Sequence, residues 1–181
     1  AASDLTIPFV GVGLLYRQGY FTQTIDAHGN QIAHYAPPNF DDLPIEPACD
    51  SQNCELRVQV ELPGRAVQLR VWRAKAGHVR LYLLDSDLTE NSEADRRITH
   101  QLYGGDINTR IQQWVVLGIG GVRALNAVGL KPTAWHINEG HAAFLILEII
   151  REKMVAGAKF DDALKASAKE CIFTTHTPVE A

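Results

Sequence analysis

The chain has 181 residues, of which 46% are hydrophobic and 21% are charged, a composition typical of a globular protein that can build one sizeable core. Its formal net charge is -4 and it carries no basic run, so the charge pattern that binds a nucleic acid backbone is missing. The apolar runs at residues 114–122 and 142–150 are far shorter than the roughly 20 residues that span a bilayer. We therefore expect neither nucleic acid nor a membrane as a partner.

The cysteines indicate the compartment. Cys49, Cys54 and Cys171 are an odd number in a chain large enough to fold without disulfides, which favours a reducing environment. We expect a cytoplasmic protein. Cys49 and Cys54 form one pair without a second pair at ligand spacing, which makes a poor zinc site. The chain opens at Ala1 without a methionine and enters an apolar run almost at once, so we also expect a piece of a longer protein.

The first half of the chain predicts mostly β-structure. Residues 9–23 are typical of a strand followed by a turn, and four prolines between residues 36 and 48 predict a surface connection. From residue 56 the apolar residues step by two along three segments, with Pro63-Gly64 and Ala76-Gly77 between them, which predicts an antiparallel meander. We expect one apolar face and one outer face that carries Arg57, Gln59, Gln68, Arg70, Arg80 and Tyr82.

A loop and a long helix follow the meander. The polar residues 85–97 predict a surface loop, and Asp106 then predicts the cap of a helix that runs through Leu125 and closes at Gly129. Three glycines inside this helix, at 118, 120 and 121, would each cost about 1 kcal/mol relative to alanine. We expect a close approach of another backbone to this part of the helix.

The last fifty residues predict a strand, two helices and a second strand. The strand at 133–137 leads to a helix capped by Asn138 that is apolar nearly all round, and a second helix capped by Asp161 leads to the strand at 171–175. This order predicts parallel strands, whose ligand sites lie at their carboxyl ends. The polar residues 136–141 and 175–178 come at those ends.

Three kinds of site fit these residues poorly. His136 and His141 are five apart, about 140° out of alignment on a helix, which argues against a metal pair with Glu139. Cys171 and His176 fall on opposite faces of a strand, which argues against a nucleophile and base. Gly11-Val12-Gly13 lacks the third glycine of a dinucleotide site.

A hydroxyl-binding pocket fits better. Asn138, Glu139 and His141 on the first turn of a helix would face His176 and Thr177 from the neighbouring strand end. Amide, carboxylate and imidazole groups together supply the donors and acceptors that a sugar needs. The alternative, that these are polar residues satisfied within the fold, remains open at this point.

Several long motifs resemble the α-glucan phosphorylases, which act on glycogen, starch and maltodextrin, in the same order along the chain. Two come before residue 117: Gly11-Val12-Gly13-Leu14-Leu15-Tyr16 and Tyr103-Gly104-Gly105-Asp106. Three follow: Leu117-Gly118-Ile119-Gly120-Gly121-Val122-Arg123-Ala124-Leu125, Trp135-His136-Ile137-Asn138-Glu139-Gly140-His141-Ala142-Ala143-Phe144 and Phe173-Thr174-Thr175-His176-Thr177-Pro178-Val179. Animal and plant members have aspartate and threonine at Glu139 and Gly140, so the chain resembles the bacterial and archaeal branch.

The resemblance implies an α/β fold, part of the N-terminal glucan-binding domain of a two-domain (GT-B type) glycosyltransferase. This part would be a parallel Rossmann-like sheet with an antiparallel β-meander insertion. Residues 1–48 would be a strand and a proline-rich connection, 49–85 the meander and 86–181 the α/β portion. The C-terminal cofactor domain is expected outside this chain. If the chain exposes a sheet edge and cleft wall that other parts cover, we expect it to self-associate.

The resemblance also implies an activity. Members of the family use inorganic phosphate to release glucose 1-phosphate from the end of an α-1,4-glucan or maltodextrin, with retention of configuration and with pyridoxal phosphate as cofactor. His176 would be the catalytic contact to the glucosyl unit, and Asn138, Glu139, His141 and Thr177 would bind substrate beside it. The lysine that binds the cofactor is expected elsewhere, so this segment alone would be inactive. A non-catalytic glucan-binding or regulatory module of the same fold is the alternative.

Overall fold

A computed structural model of the chain describes residues 1–19, 21–36, 39–50, 52–102 and 105–176. It is a mixed α/β structure with parallel and antiparallel strands. The strands are β1 Val10–Leu14, β2 Thr22–Ile25, β3 Gln31–His34, β4 Ile45–Pro47, β5 Arg57–Leu62, β6 Arg65–Ala76, β7 Val79–Asp85, β8 Trp135–Asn138 and β9 Cys171–Thr174. The helices are α1 Glu93–Arg96, α2 Ile107–Val115, α3 Gly121–Ala127, α4 Leu145–Val155 and α5 Phe160–Glu170, and a π-helical turn, Val116–Gly120, joins α2 to α3.

The main sheet confirms the predicted meander. Strands β5, β6 and β7 are antiparallel, with Val60 opposite Val67 and Val71 opposite Leu84. Strand β1 pairs parallel to β7, and β4 pairs with β6. The meander and the first strand therefore belong to one five-stranded sheet. The second parallel pair, β8 with β9, forms a separate sheet.

The predicted outer face is wrong on β7. Tyr82 is only 3% exposed and packs in the core with Leu84, on the side covered by the helices. Arg80, two residues earlier, shares that face and lies exposed at its margin. The alternation misleads because β7 carries apolar or aromatic residues on both faces, so the pattern does not distinguish the face that packs on the helices.

The segment at 85–97 is not the surface loop predicted from its polarity. It contains α1, and Asp85, Ser86 and Asn91 are buried. The Asn91 amide bonds the backbone N and O of Gln68 at 2.9 and 2.8 Å and the Ser86 carbonyl at 2.7 Å. Arg17 donates to both Asp85 oxygens. Satisfied polar groups therefore hold this segment inside the fold.

The long helix has the predicted ends. The Asp106 side chain accepts a hydrogen bond from the Thr109 N–H, and Gly129 closes the helix with a φ of +78°. Backbone approach is confirmed at Gly118, where an added Cβ would lie 2.6 Å from the Leu145 nitrogen. At Gly120 and Gly121 the close neighbours are side chains of the sheet instead. The π-helical turn itself was not predicted.

The C-terminal helices differ from the predictions in detail. In α4, Leu145, Ile149 and Ile150 are buried, but Leu147 is 56% exposed, so the prediction of a helix buried all round is wrong. In α5 the cap position belongs to Lys159, and Asp161 lies in the first turn. In the part of the chain that the structure describes, no helix is long and apolar enough to cross a membrane.

Two further features were not predicted. Strands β2 and β3 form an exposed antiparallel hairpin before the proline-rich connection, within which Pro37 and Pro38 lie outside the described residues. A groove of about 910 Å³ separates β1 from the β8–β9 pair. Its lining includes Val10, Val12, Leu125, Trp135 and Ile172. Beside the groove, Trp135 of β8 packs against the core of the main sheet, and Ile137 packs with apolar residues of α3 and α4.

A cluster of ion pairs joins β5, α3 and α4 and gives a pH-dependent prediction. The Glu148 carboxylate is 2% exposed and binds Arg123 at 2.8 Å and Arg151 at 2.7 Å. Arg123 also donates to the Gln59 carbonyl at 2.7 Å, which ties α3 to β5 and α4. Burial raises the pKa of Glu148, but the hydrogen bonds from Arg151 and Arg123 outweigh it and hold this pKa below its ordinary value near 4.5.

Because the folded pKa is lowered, the stabilisation is present above pH 4.5 and is lost as the pH falls through the folded value. We expect Glu148→Gln to lower the free energy of unfolding by about 2 kcal/mol at pH 7, since a neutral amide replaces the buried carboxylate that binds both Arg123 and Arg151. The deficit should shrink at pH 3.5. Urea unfolding at both pH values measures it, and an equal deficit at both would contradict the ion-pair explanation.

Candidate functional site

The carboxyl ends of β8 and β9 lie side by side. The strands run parallel, with Asn138 opposite Thr174, so the residues that follow each strand emerge at the same edge. Asn138 is the last residue of β8, and α4 begins only at Leu145. The prediction that Asn138 caps a helix is therefore wrong, and a short 3-10 turn, Gly140–Ala142, stands in between. The helix-terminus argument for Glu139 and His141 does not apply.

Three of the predicted site residues meet at this edge. The His176 ring Nε2 lies 2.8 Å from the Asn138 Oδ1, and the His176 backbone N–H donates to the Glu139 carboxylate. An amide oxygen only accepts, so in this contact Nε2 carries the hydrogen. In a neutral ring Nδ1 then keeps its lone pair. Asn138 and His176 are exposed and Glu139 is half-buried, so the imidazole is fixed and still accessible.

Glu139 has an unusual backbone. Its φ is +57° and its ψ is -168°, a region that residues with a Cβ rarely adopt. The Glu139 N–H donates to the Thr174 carbonyl at 2.8 Å, and the second carboxylate oxygen accepts from the Thr175 hydroxyl at 3.4 Å. Glu139 is therefore bonded to β9 through both its backbone and its side chain.

His141 lies in the 3-10 turn that follows Glu139. Its ring and that of Trp114 in α2 form a T-shaped pair, with ring centroids 6.0 Å apart and planes at 64°. A cavity of about 190 Å³ beside it is lined also by Tyr16, Arg110 and Leu117. The sequence analysis missed Arg110 and Trp114. Their spacing of four on a helix puts them on one face, and this was the available signal.

The remaining predicted residues stand as follows. Thr177 lies outside the described residues, as do Tyr103, Gly104, Pro178 and Val179 of the sequence motifs. His136 is exposed, and its Nε2 lies 2.6 Å from the Thr174 hydroxyl.

Other chemistries find little support at this edge. Over the described ranges no three His, Cys, Asp or Glu side chains gather as a metal site would require. Burial, together with Glu170, raises the pKa of the Cys171 thiol, which is the opposite of an activated nucleophile. A cofactor held as a Schiff base needs a lysine amine, and none lies among the described residues at these strand ends. Lys131 precedes β8, at its other end.

The sequence matches known proteins over nearly its whole length. It is 43% identical over 180 residues to a maltodextrin phosphorylase of Thermococcus litoralis, covering 99% of this chain and 22% of that protein. It is 45% identical over 188 residues to a glycogen phosphorylase of Mycobacterium tuberculosis, covering 100% and 22%. A glycogen phosphorylase of Aquifex aeolicus is 35% identical over 178 residues, covering 98% and 26%. No family model matches. The chain thus spans about a quarter or less of these relatives, between 22% and 26%.

Proposed function

The chain belongs to the α-glucan phosphorylase family and matches one segment of its members, and from this we propose that the whole protein releases glucose 1-phosphate from α-1,4-glucans. The proposed reaction consumes inorganic phosphate and retains the configuration of the glucosyl unit. The proposed substrates are an α-1,4-glucan or maltodextrin and phosphate, and the proposed location is the cytoplasm. The observation that carries the proposal is the meeting of Asn138, Glu139 and His176 at the carboxyl ends of β8 and β9.

Within this proposal the segment forms part of the N-terminal glucan-binding domain of a GT-B fold. Residues 1–48 lead into the meander at 49–85, and residues 86–181 carry the site. The parallel pairing of β8 with β9 supports this assignment, because ligands of open α/β sheets bind at the carboxyl ends of parallel strands.

The roles proposed for the side chains follow from their contacts. His176 faces the glucosyl unit and stabilises the charge that develops at the breaking bond. Asn138 holds its ring by the 2.8 Å hydrogen bond, so the imidazole is oriented before substrate binds. His141, which with Trp114 lines the smaller cavity, would contact sugar hydroxyls, and Thr177 would support His176.

Pyridoxal phosphate is the proposed cofactor of the whole protein. The described residues at the site do not fit it, because they include no lysine. Its binding residues are therefore assigned to parts of the protein outside this chain, and this segment alone should be inactive.

The test is the release of glucose 1-phosphate from maltoheptaose by the full-length protein, supplied with phosphate and pyridoxal phosphate. We expect turnover by the full-length protein and none by the 181-residue chain under the same conditions. A full-length protein that binds maltoheptaose in calorimetry but releases no glucose 1-phosphate would refute the proposal in favour of a non-catalytic glucan-binding module.

A further inference from the structure

We infer that Glu139 is a positioning residue: its carboxylate fixes the main chain of Thr175 and His176 at the end of β9, instead of binding the sugar. The inference rests on the proposed function, because it concerns how His176 is held for that reaction. It changes the role that the family resemblance implies for Glu139.

The first observation is the occupancy of the carboxylate. One oxygen accepts the His176 backbone N–H and the other accepts the Thr175 hydroxyl at 3.4 Å. A hydrogen bond from a backbone N–H to a carboxylate is charge-assisted and about twice as strong as a neutral one. Glu139 is also only partly exposed, whereas His176 is exposed. The carboxylate is thus directed at the chain and the imidazole at the solvent.

The second observation is the strained backbone of Glu139. Residues with a φ of +57° and a ψ of -168° are nearly always glycine, because a Cβ is crowded there. Such a conformation persists when surrounding contacts over-determine it. Here the contacts that do so are the Glu139 N–H to the Thr174 carbonyl and the side chain to residues 175 and 176. Glycine would adopt this backbone conformation with less strain. The carboxylate is therefore the group that explains why glutamate occupies the position.

The His176 imidazole, the Asn138 amide and the Glu139 carboxylate then form a single hydrogen-bonded unit. The His176 ring is held by Asn138 on β8, and the His176 backbone is held by Glu139 directly after β8. Both ends of the histidine are therefore fixed to the same neighbouring strand. Loss of the Glu139 contact would leave the ring bonded but the main chain free to shift.

The kinetic test uses Glu139→Gly and Glu139→Gln in the full-length protein. Glycine suits the backbone and removes the carboxylate, so we expect a folded protein whose kcat falls about a hundredfold with KM for maltoheptaose changed less than about twofold. Glutamine keeps one acceptor oxygen for the His176 N–H, and we expect it to restore about tenfold of that loss. A carboxylate that binds the sugar would instead raise KM strongly in both variants.

Hydrogen exchange provides a readout that needs no activity. In the full-length protein, mass spectrometry of the peptide that ends β9 should show about tenfold faster exchange in Glu139→Gly than in the wild type, because the His176 amide loses its acceptor. The matched control is His136→Ala, which removes a ring bonded to Thr174 and should leave that amide protected. Unchanged exchange in Glu139→Gly would overturn the inference, whereas an inactive wild type with the expected exchange would refute only the proposed function.

Discussion

Replacing His176 by alanine in the full-length protein should lower kcat for phosphorolysis about a thousandfold, the upper range for loss of one preorganised group at a developing charge. The ring is exposed at the carboxyl edge of β9, and Asn138 fixes it at 2.8 Å. Because its backbone contact to Glu139 does not involve the side chain, the alanine variant should keep the local fold. Glucose 1-phosphate release under saturating substrate measures the effect.

The control for this prediction is His136→Ala. His136 is also an exposed histidine on the same two-stranded sheet, but in the described part of the chain its ring bonds the Thr174 hydroxyl and not Asn138, Glu139 or His176. We expect its kcat to stay within about threefold of the wild type, as is usual for a side chain without a transition-state contact. Equal losses in the two variants would mean that the edge is only structural.

The second large effect is expected at Gly118. An added Cβ would lie 2.6 Å from the Leu145 nitrogen and 2.9 Å from the Phe144 carbonyl carbon, so α4 would have to move as a unit. Rigid backbone cannot give way as a flexible side chain can, and we expect Gly118→Ala to lower the free energy of unfolding by about 3 kcal/mol. This loss outweighs the gain in helix propensity of about 1 kcal/mol.

Urea unfolding of the chain measures the loss, and Gly19→Ala is the control. Among the described residues, the nearest atom to an added Cβ at Gly19 is 4.0 Å away, at the Leu102 side chain, so this substitution should cost less than about 0.5 kcal/mol. If Gly118→Ala were as stable as Gly19→Ala, the close packing of the π-helical turn on α4 would be disproved.

Local sequence patterns predicted the elements whose surroundings in the fold leave one face buried and the other exposed. The meander followed from apolar residues stepping by two, because β5 and β6 have one buried face each. The same rule failed on β7, where Tyr82 is buried, because this strand carries apolar or aromatic residues on both faces and the alternation does not distinguish them. The cap at Asp106 followed from its chemistry, since a side-chain oxygen there has free helix N–H groups to bind.

Polarity misled where polar groups are satisfied inside the fold. Asn91 lies in a segment whose polar composition is typical of a surface loop. Its amide nevertheless bonds the backbone of Gln68 in β6, as a neighbouring strand would. Asn138 resembles a helix cap, but its pairing with Thr174 keeps it in β8. Such contacts join residues far apart in sequence, so no local pattern contains them.

The candidate site was predictable in place but not in geometry. Strand order alone put polar residues at the ends of β8 and β9, because parallel strands bring their carboxyl ends together. The contact between Glu139 and the His176 backbone depends on a φ of +57°, which sequence preference disfavours for glutamate. The contact between the rings of His141 and Trp114 depends on how α2 packs, which the sequence pattern does not predict either.

The wide turn at Val116–Gly120 fixes the permitted length of the chain at this point. The chain here meets two neighbours at once, because Gly118 lies against α4, whereas Gly120 and the first residue of α3, Gly121, lie against side chains of the main sheet. Each residue of a helix turns the chain by about 100°, so deleting or inserting one here would rotate all of α3. Arg123 would then point away from Glu148 and the Gln59 carbonyl. An alignment of homologous sequences should therefore admit no gap within this turn.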